Sequence, residues 1–119
     1  MFEDADLKAA VEGALLAKMR NGGEACTAAN RFLVHEAVAL EFAAGLASRM
    51  AALHVGPGLE PGFDVGPLID AAQRTRVTAL VDDAVASGAR ILTGGLSLER
   101  PGYFFAPTVL QDVPEDTRL

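Results

Sequence analysis

Three segments of the sequence carry apolar residues at helical spacing, and this periodicity restricts the possible folds more than any other feature. They span about residues 7–19, 37–53 and 70–87. Each would place one apolar stripe against a core if it formed an α-helix. Asp4 or Asp6 is suited to cap the first helix at its positive end. The sequence therefore predicts three amphipathic helices.

Short strand-like runs separate or follow these helices. They cover residues 32–35, 90–93 and about 103–113, and Pro107 inside the last run predicts an edge position or a bulge. Alternating helices and strands favour an α/β layer architecture. We therefore expect an α/β fold with a partial open layered sheet and flanking helices. With so few strands to cover, parts of the helical stripes should stay exposed and favour self-association.

Composition excludes several classes of function. The 119 residues are enough for one domain, and the net charge of −6 argues against nucleic acid as a partner. No apolar run approaches the length of roughly 18 residues that a membrane span requires. The acidic start, with Glu3, Asp4 and Asp6, is unlike a signal peptide. A single cysteine permits no internal disulfide and fits the cytoplasm, and we expect no metal site.

That cysteine, Cys26, lies in residues 20–31, which read R-N-G-G-E-A-C-T-A-A-N-R. Gly22 and Gly23 end the first helix and loosen the connection on which the thiol is presented. A thiolate on such a loop is a candidate nucleophile, because loop N–H groups stabilise a developing oxyanion. Cysteine also often packs as a small hydrophobe. Activation of the thiol by His35 is conceivable as well.

The spacing N-x-G-x-x-C-x-x-x-x-R, formed by Asn21, Gly23, Cys26 and Arg31, resembles the active-site signature of the aldehyde dehydrogenase superfamily. Residues 2–7, 64–69 and 102–110 also look like landmarks of that family, so the resemblance covers nearly the whole chain. Within the superfamily, residues 20–21 and 29–31 are most similar to the succinate-semialdehyde dehydrogenase branch.

The resemblance implies a two-stage oxidation of an aldehyde. The thiolate that matches Cys26 attacks the carbonyl to give a thiohemiacetal, with its own backbone N–H as one oxyanion donor. Hydride then passes to NAD or NADP, and water activated by a glutamate hydrolyses the resulting thioester. Asn21, Gly23 and Arg31 match positions that shape the loop.

Arg20 stands where the succinate-semialdehyde branch carries an arginine that pairs with the far carboxylate of the substrate. A guanidinium forks onto a carboxylate with two hydrogen bonds and so orients the substrate from its remote end. The resemblance therefore implies a short ω-carboxy aldehyde as substrate. A cation at a helix C-terminus is favourable in any case, which is the structural alternative for Arg20.

Some positions depart from the family pattern. Glu24 stands where glutamine is usual, and its charge should disfavour a thiolate at Cys26. The family's general base and its dinucleotide-binding domain are expected upstream of Met1, and a cofactor motif is expected beyond Leu119. Residues 1–119 are thus expected to be a partial catalytic domain. Gln73 lies where some relatives contact the cofactor ribose, although an exposed helix residue is the simpler interpretation.

Three hypotheses follow for the function. The chain is part of an aldehyde dehydrogenase completed by missing segments, an inactive truncated product, or a cofactor-free thiol module with hydrolytic or redox activity. For the chain alone we expect no cofactor binding and no aldehyde oxidation, because no Gly-rich strand-to-helix turn with an acidic ribose partner is present in the sequence.

Overall fold

The computed structural model describes residues 1–118. Its elements are α1 (Leu7–Met19), a 3-10 turn (Arg20–Gly23), α2 (Glu36–Ala51), α3 (Ala71–Ala86), β1 (Arg90–Thr93) and β2 (Val109–Gln111). The three predicted helices are confirmed, each to within two residues at either end. No helix in this described part is long and apolar enough to cross a membrane.

Side chains at the N-termini set where the helices begin. Asp6 caps α1, with its carboxylate accepting from the backbone N–H of Ala9 at 3.0 Å. Asp70 caps α3 in the same way, accepting from the N–H of Gln73 at 2.7 Å. Each bond satisfies a donor that the first helical turn leaves without a partner. Of the two predicted caps of α1, the structure uses Asp6.

The sheet is small. Strands β1 and β2 pair antiparallel, with Arg90 opposite Gln111, Ile91 opposite Leu110, and a register irregularity between Ile91 and Thr93. The last strand was predicted over residues 103–113, and that length is wrong, because β2 covers only Val109–Gln111. Pro107 supplies no N–H for a ladder, so upstream of β2 the pairing is reduced to one isolated bridge between Ser97 and Phe105.

The strand predicted over residues 32–35 does not form. Its strand-like pairing is with Met1 alone among the described residues: the Met1 ammonium donates to the Leu33 carbonyl at 2.7 Å, and the Met1 carbonyl accepts from the His35 N–H at 3.0 Å. These two bonds flank Val34 in the pattern of a single parallel pairing. A strand needs an extended partner along its length, and in the described residues this segment has one for a single position only.

The core lies between α1 and α2. It consists of buried side chains from both helices: Val11, Ala14, Phe42, Leu46 and Met50. The expectation that these stripes would stay exposed is therefore wrong for α1 and α2, because the two helices cover each other. Gly45 permits their close approach, since a Cβ at this position would stand 3.0 Å from a methyl group of Val11. The Arg49 guanidinium joins the Glu12 carboxylate across the same interface at 2.8 Å.

Helix α3 packs against the segment before β2 rather than against the other helices. Its Val81 and Ala84 are buried. Arg74 donates to the carbonyl of Gly102 at 2.9 Å and lies over the Tyr103 ring at 5.6 Å from its centroid. The cation–π contact and the hydrogen bond fix one end of α3 to the last quarter of the chain.

Candidate active site

Helix α1 ends in a turn built from left-handed residues. Arg20 leaves the helical region with φ −52° and ψ 130°, and the next residues have φ values of 51° (Asn21), 64° (Gly22) and 84° (Gly23). Glycine adopts such angles freely, and asparagine tolerates them better than most residues. The carbonyl of Asn21 then accepts from the N–H of Glu24 at 3.1 Å, so the chain reverses direction here.

Cys26 follows on the surface. It is a free, exposed thiol in a tight turn that is closed by a hydrogen bond from the Ala28 N–H to the Ala25 carbonyl at 2.9 Å. The alternative of a buried structural cysteine is therefore wrong for this residue. An exposed thiol on a short turn is open to a small electrophile, and the surrounding N–H groups are oriented by the turn rather than by a helix.

Lys18 forms hydrogen bonds to two residues of the connection that contains Cys26, a role that the sequence did not reveal. Its ammonium donates to Asn30 Oδ1 at 2.7 Å and to the Gly23 carbonyl at 3.4 Å. Partial burial lowers the pKa of Lys18 from its ordinary value of 10.5, because desolvation disfavours the ammonium form. The only sequence signal was a lysine in the last turn of α1, where a cation is expected anyway.

The structure places the predicted substrate-anchor and loop residues on the same exposed connection. Arg20, Glu24 and Arg31 are all exposed. Arg20 has no hydrogen bond or ion pair to any residue among 1–118, so its guanidinium is available to a dissolved anion. The negative charge of Glu24 stands two positions before Cys26, as the sequence requires.

Two other residues considered from the sequence lie elsewhere. Both ring nitrogens of His35 have partners other than Cys26: Nδ1 accepts from the Ala37 N–H at 3.3 Å, and Nε2 lies 3.5 Å from the Glu3 carboxylate. His35 therefore caps α2, and the structure does not support its pairing with Cys26. Gln73 is an exposed residue in the first turn of α3.

Two open clefts lie away from Cys26. The larger, about 470 Å³, runs between α2 and the sheet and includes Leu40, Ala44, Leu92 and Gln111 in its lining. The smaller, about 340 Å³, lies under the loop that contains Arg100. Neither is lined by Cys26 or Arg20. The walls of a substrate pocket around Cys26 are therefore not supplied by these clefts.

The described residues also do not fit a nicotinamide dinucleotide. A phosphate cradle of that kind needs a Gly-rich turn from a strand directly into a helix. Strand β1 does run into Gly94 and Gly95, but a loop follows them, and Thr108 Oγ1 already accepts from the Gly95 N–H at 2.8 Å. Within residues 1–118, no group of three or more His, Cys, Asp or Glu side chains is arranged to hold a metal ion.

Comparison with known proteins agrees with the signature around Cys26. The sequence matches the aldehyde dehydrogenase family over residues 1–119. It is 56% identical to a succinate-semialdehyde dehydrogenase of Paenarthrobacter nicotinovorans over 119 residues, which is 100% of this chain and 26% of that protein. It is 45% identical to an Escherichia coli succinate-semialdehyde dehydrogenase whose name specifies NADP(+), covering 100% of this chain and 25% of the relative.

Solved structures give the same result for the fold. The crystal structure of succinate-semialdehyde dehydrogenase from Burkholderia pseudomallei superposes with a TM-score of 0.94 at 47% identity, covering 99% of this chain and 24% of that one. The chain belongs to the aldehyde dehydrogenase family, and its α/β fold is that of a part of the catalytic domain. It spans about a quarter of the length of the curated relatives it matches.

Proposed function

We propose that the chain contributes the nucleophile and the carboxylate anchor of an NAD(P)-dependent aldehyde dehydrogenase that oxidises a short ω-carboxy aldehyde such as succinate semialdehyde. The main support is the exposed thiol of Cys26 on the left-handed turn after α1, within a chain 56% identical to a succinate-semialdehyde dehydrogenase. In this proposal residues 1–119 are a partial catalytic domain, and the dinucleotide-binding domain lies outside them.

In this proposal Cys26 and Arg20 act on opposite ends of the substrate. The Sγ thiolate forms a bond to the aldehyde carbon, and the carbonyl electron pair moves onto oxygen, where the backbone N–H of Cys26 donates to it. Arg20, with no partner among the described residues, binds the carboxylate at the other end of the substrate. Two fixed ends leave the reacting carbon little freedom, which lowers the entropic part of the barrier.

The later steps belong to the complete enzyme. Oxidation of the adduct requires a hydride acceptor, and hydrolysis of the product thioester requires a general base. The described residues build no dinucleotide site, and the family's glutamate base is expected outside the chain. In this proposal both groups belong to other parts of the complete enzyme.

The test uses a chimera in which these 119 residues replace the matching quarter of a full-length relative. We expect reduction of NAD or NADP in the presence of succinate semialdehyde, and loss of this turnover in Cys26→Ala. Turnover that survives Cys26→Ala would contradict the assignment of the nucleophile.

A second candidate function, a cofactor-free thiol hydrolase or redox module, is favoured by one observation, the exposure of the free thiol. It predicts Cys26-dependent ester hydrolysis by the chain itself, without nicotinamide cofactor. Ester hydrolysis by the chain that is unchanged in Cys26→Ala, or absent, would exclude this candidate while leaving the first one open to the chimera test.

A further inference from the structure

One side chain holds together the two ends of the segment that contains Cys26. We name residues 23–30 the cysteine loop. The Lys18 ammonium donates to the carbonyl of Gly23 at 3.4 Å and to Asn30 Oδ1 at 2.7 Å, and these residues are the first and last of the loop. Beside them, the N–H of Ala29 donates to the carbonyl of Ala17 at 3.2 Å.

Lys18 fits its place closely. A Cβ at position 23 would stand 3.3 Å from Lys18 Cε, so the glycine leaves the space in which the lysine stem lies. The ammonium has three donors and reaches two oxygen acceptors in the loop. A hydrogen bond from an ionised donor is roughly twice as strong as a neutral one. The lowered pKa of Lys18 is consistent with a stem and head group that are partly withdrawn from water.

The acceptors distinguish this arrangement from an ordinary helix-end cation. A lysine that stabilises a helix C-terminus interacts with the last carbonyls of that helix. The bonds of Lys18 instead go to Gly23 and Asn30, which lie beyond the end of α1. The interaction therefore acts on the cysteine loop.

We propose that Lys18 is a positioning residue that closes the cysteine loop by bonding Gly23 and Asn30 at once, and so fixes the direction in which Cys26 is presented. Only the importance given to Cys26 rests on the proposed function. An open loop would let the thiol sample many directions, and misplacement of a nucleophile by about 1 Å can slow its attack about 100-fold.

Hydrogen–deuterium exchange of the 119-residue chain, read by mass spectrometry, tests the closure directly. Lys18→Met keeps the stem and removes the donor, and Asn30→Ala removes the stronger acceptor. The matched control is Lys8→Met, which removes the only other lysine of the chain, an exposed residue of the same helix. In both loop variants we expect amides 23–30 to exchange about tenfold faster or more, because a charged hydrogen bond is lost. Amides of α2 and all amides of Lys8→Met should match the wild type.

Two further comparisons separate positioning from general stability. Lys18→Arg should restore part of the protection of the loop. The double variant Lys18→Met/Asn30→Ala should exchange no faster than Lys18→Met, since Lys18→Met already removes the bond that Asn30→Ala removes. The rate of Cys26 alkylation by iodoacetamide should change in Lys18→Met and not in Lys8→Met.

Unchanged loop exchange in both single variants would overturn the proposal, as would an equal rise in α1, α2 and the loop, or additive effects in the double variant. If Lys18→Met unfolds the chain, Asn30→Ala decides the question, because it leaves α1 intact. Lack of turnover in the chimera would count against the proposed function alone, since the exchange comparison does not depend on activity.

Discussion

The left-handed residues between Arg20 and Glu24 account for the exposure of Cys26. Because Asn21, Gly22 and Gly23 all have positive φ, the chain turns away from α1 before the cysteine and carries it into solvent. The same turn exposes Arg20 and Glu24. The proposed roles of Cys26 and Arg20 and the charge of Glu24 can therefore each be tested by a single substitution.

The exposed thiol of Cys26 should be reactive in the folded chain. Iodoacetamide should alkylate Cys26 in the folded chain, because the thiol is exposed. Glu24→Gln should speed this alkylation, because it removes the negative charge that lies two positions before the thiol in the sequence. Mass spectrometry over a range of pH measures both effects, with Glu12→Gln as a control for charge far along α1. No labelling without denaturant would contradict the observed exposure.

Arg20 should decide the preference for a carboxylate substrate. In the chimera, Arg20→Ala should raise KM for succinate semialdehyde and cost about 1.5–3 kcal/mol in kcat/KM, the range for a charged hydrogen bond. An uncharged aldehyde of similar length should be affected little. Arg76→Ala, at an exposed position on α3, is the matched control. Equal losses of kcat/KM on both aldehydes would contradict the role of Arg20 as a carboxylate anchor and would favour a role as a helix-end charge.

The lowered pKa of Lys18 predicts a pH dependence of stability. In the window between its folded pKa and the ordinary value of 10.5, the unfolded chain binds the proton and the folded chain does not. The free energy of unfolding should therefore rise with pH across this window. The free energy of unfolding of the wild type minus that of Lys18→Met, measured by thermal unfolding at neutral and alkaline pH, isolates the effect. A decrease of this difference with rising pH would contradict the prediction.

The close contact of α1 with α2 depends on a glycine, Gly45, which has no side chain to separate the two helices. Gly45 faces Val11, whereas Gly13 in α1 has no atom within 4 Å of an added Cβ. The two glycines therefore make a natural comparison. Both lie inside helices, where alanine is favoured over glycine by about 1 kcal/mol, and only one of them lies at a tight interface.

Gly13→Ala should therefore raise the free energy of unfolding by about 0.5–1 kcal/mol. Gly45→Ala should gain less or lose stability, because its methyl group would meet Val11 at 3.0 Å. Adding Val11→Ala to Gly45→Ala should change stability by less than Val11→Ala does alone in the wild type. Denaturant unfolding measures all four. Equal gains at positions 13 and 45 would show that the helices separate at little cost.

The molecule as a whole leaves a considerable number of large apolar side chains exposed to solvent. Several large apolar residues outside the core between α1 and α2 are exposed, among them Leu33 (79%), Leu40 (70%) and Ile69 (83%). Self-association of the chain stays a prediction, and these exposed residues are now its basis.

Cofactor binding and aldehyde oxidation require more than these 119 residues in the proposed function. Alone, it should bind neither NAD nor NADP and oxidise no aldehyde, because the described residues form no phosphate cradle and the general base is expected elsewhere. Calorimetric titration with each cofactor and an assay for the reduced nicotinamide with succinate semialdehyde measure this. The full chimera is the positive control. Saturable binding with Cys26-dependent turnover by the chain alone would contradict the prediction.

The sequence by itself determined the three helices and the place of Cys26 on a glycine-loosened connection, and the signature around Cys26 indicated the family by resemblance. The helices and the connection depend on local features: apolar spacing of about 3.6 residues, a capping carboxylate such as Asp6, and glycines such as Gly22 and Gly23 that admit positive φ. Local rules act within a few residues, so the printed sequence contains everything they need. The α/β class also followed from the alternation of helical and strand-like runs.

Only the tertiary structure decided how distant residues meet. The run 32–35 has strand composition, yet it has a partner only at Met1, because a strand is stabilised by hydrogen bonds to a neighbouring chain segment and not by its own residues. The role of Lys18 was hidden for the same reason. Its acceptors at positions 23 and 30 come within reach only after the chain has turned back on α1, and no spacing rule links residues across a loop of that length.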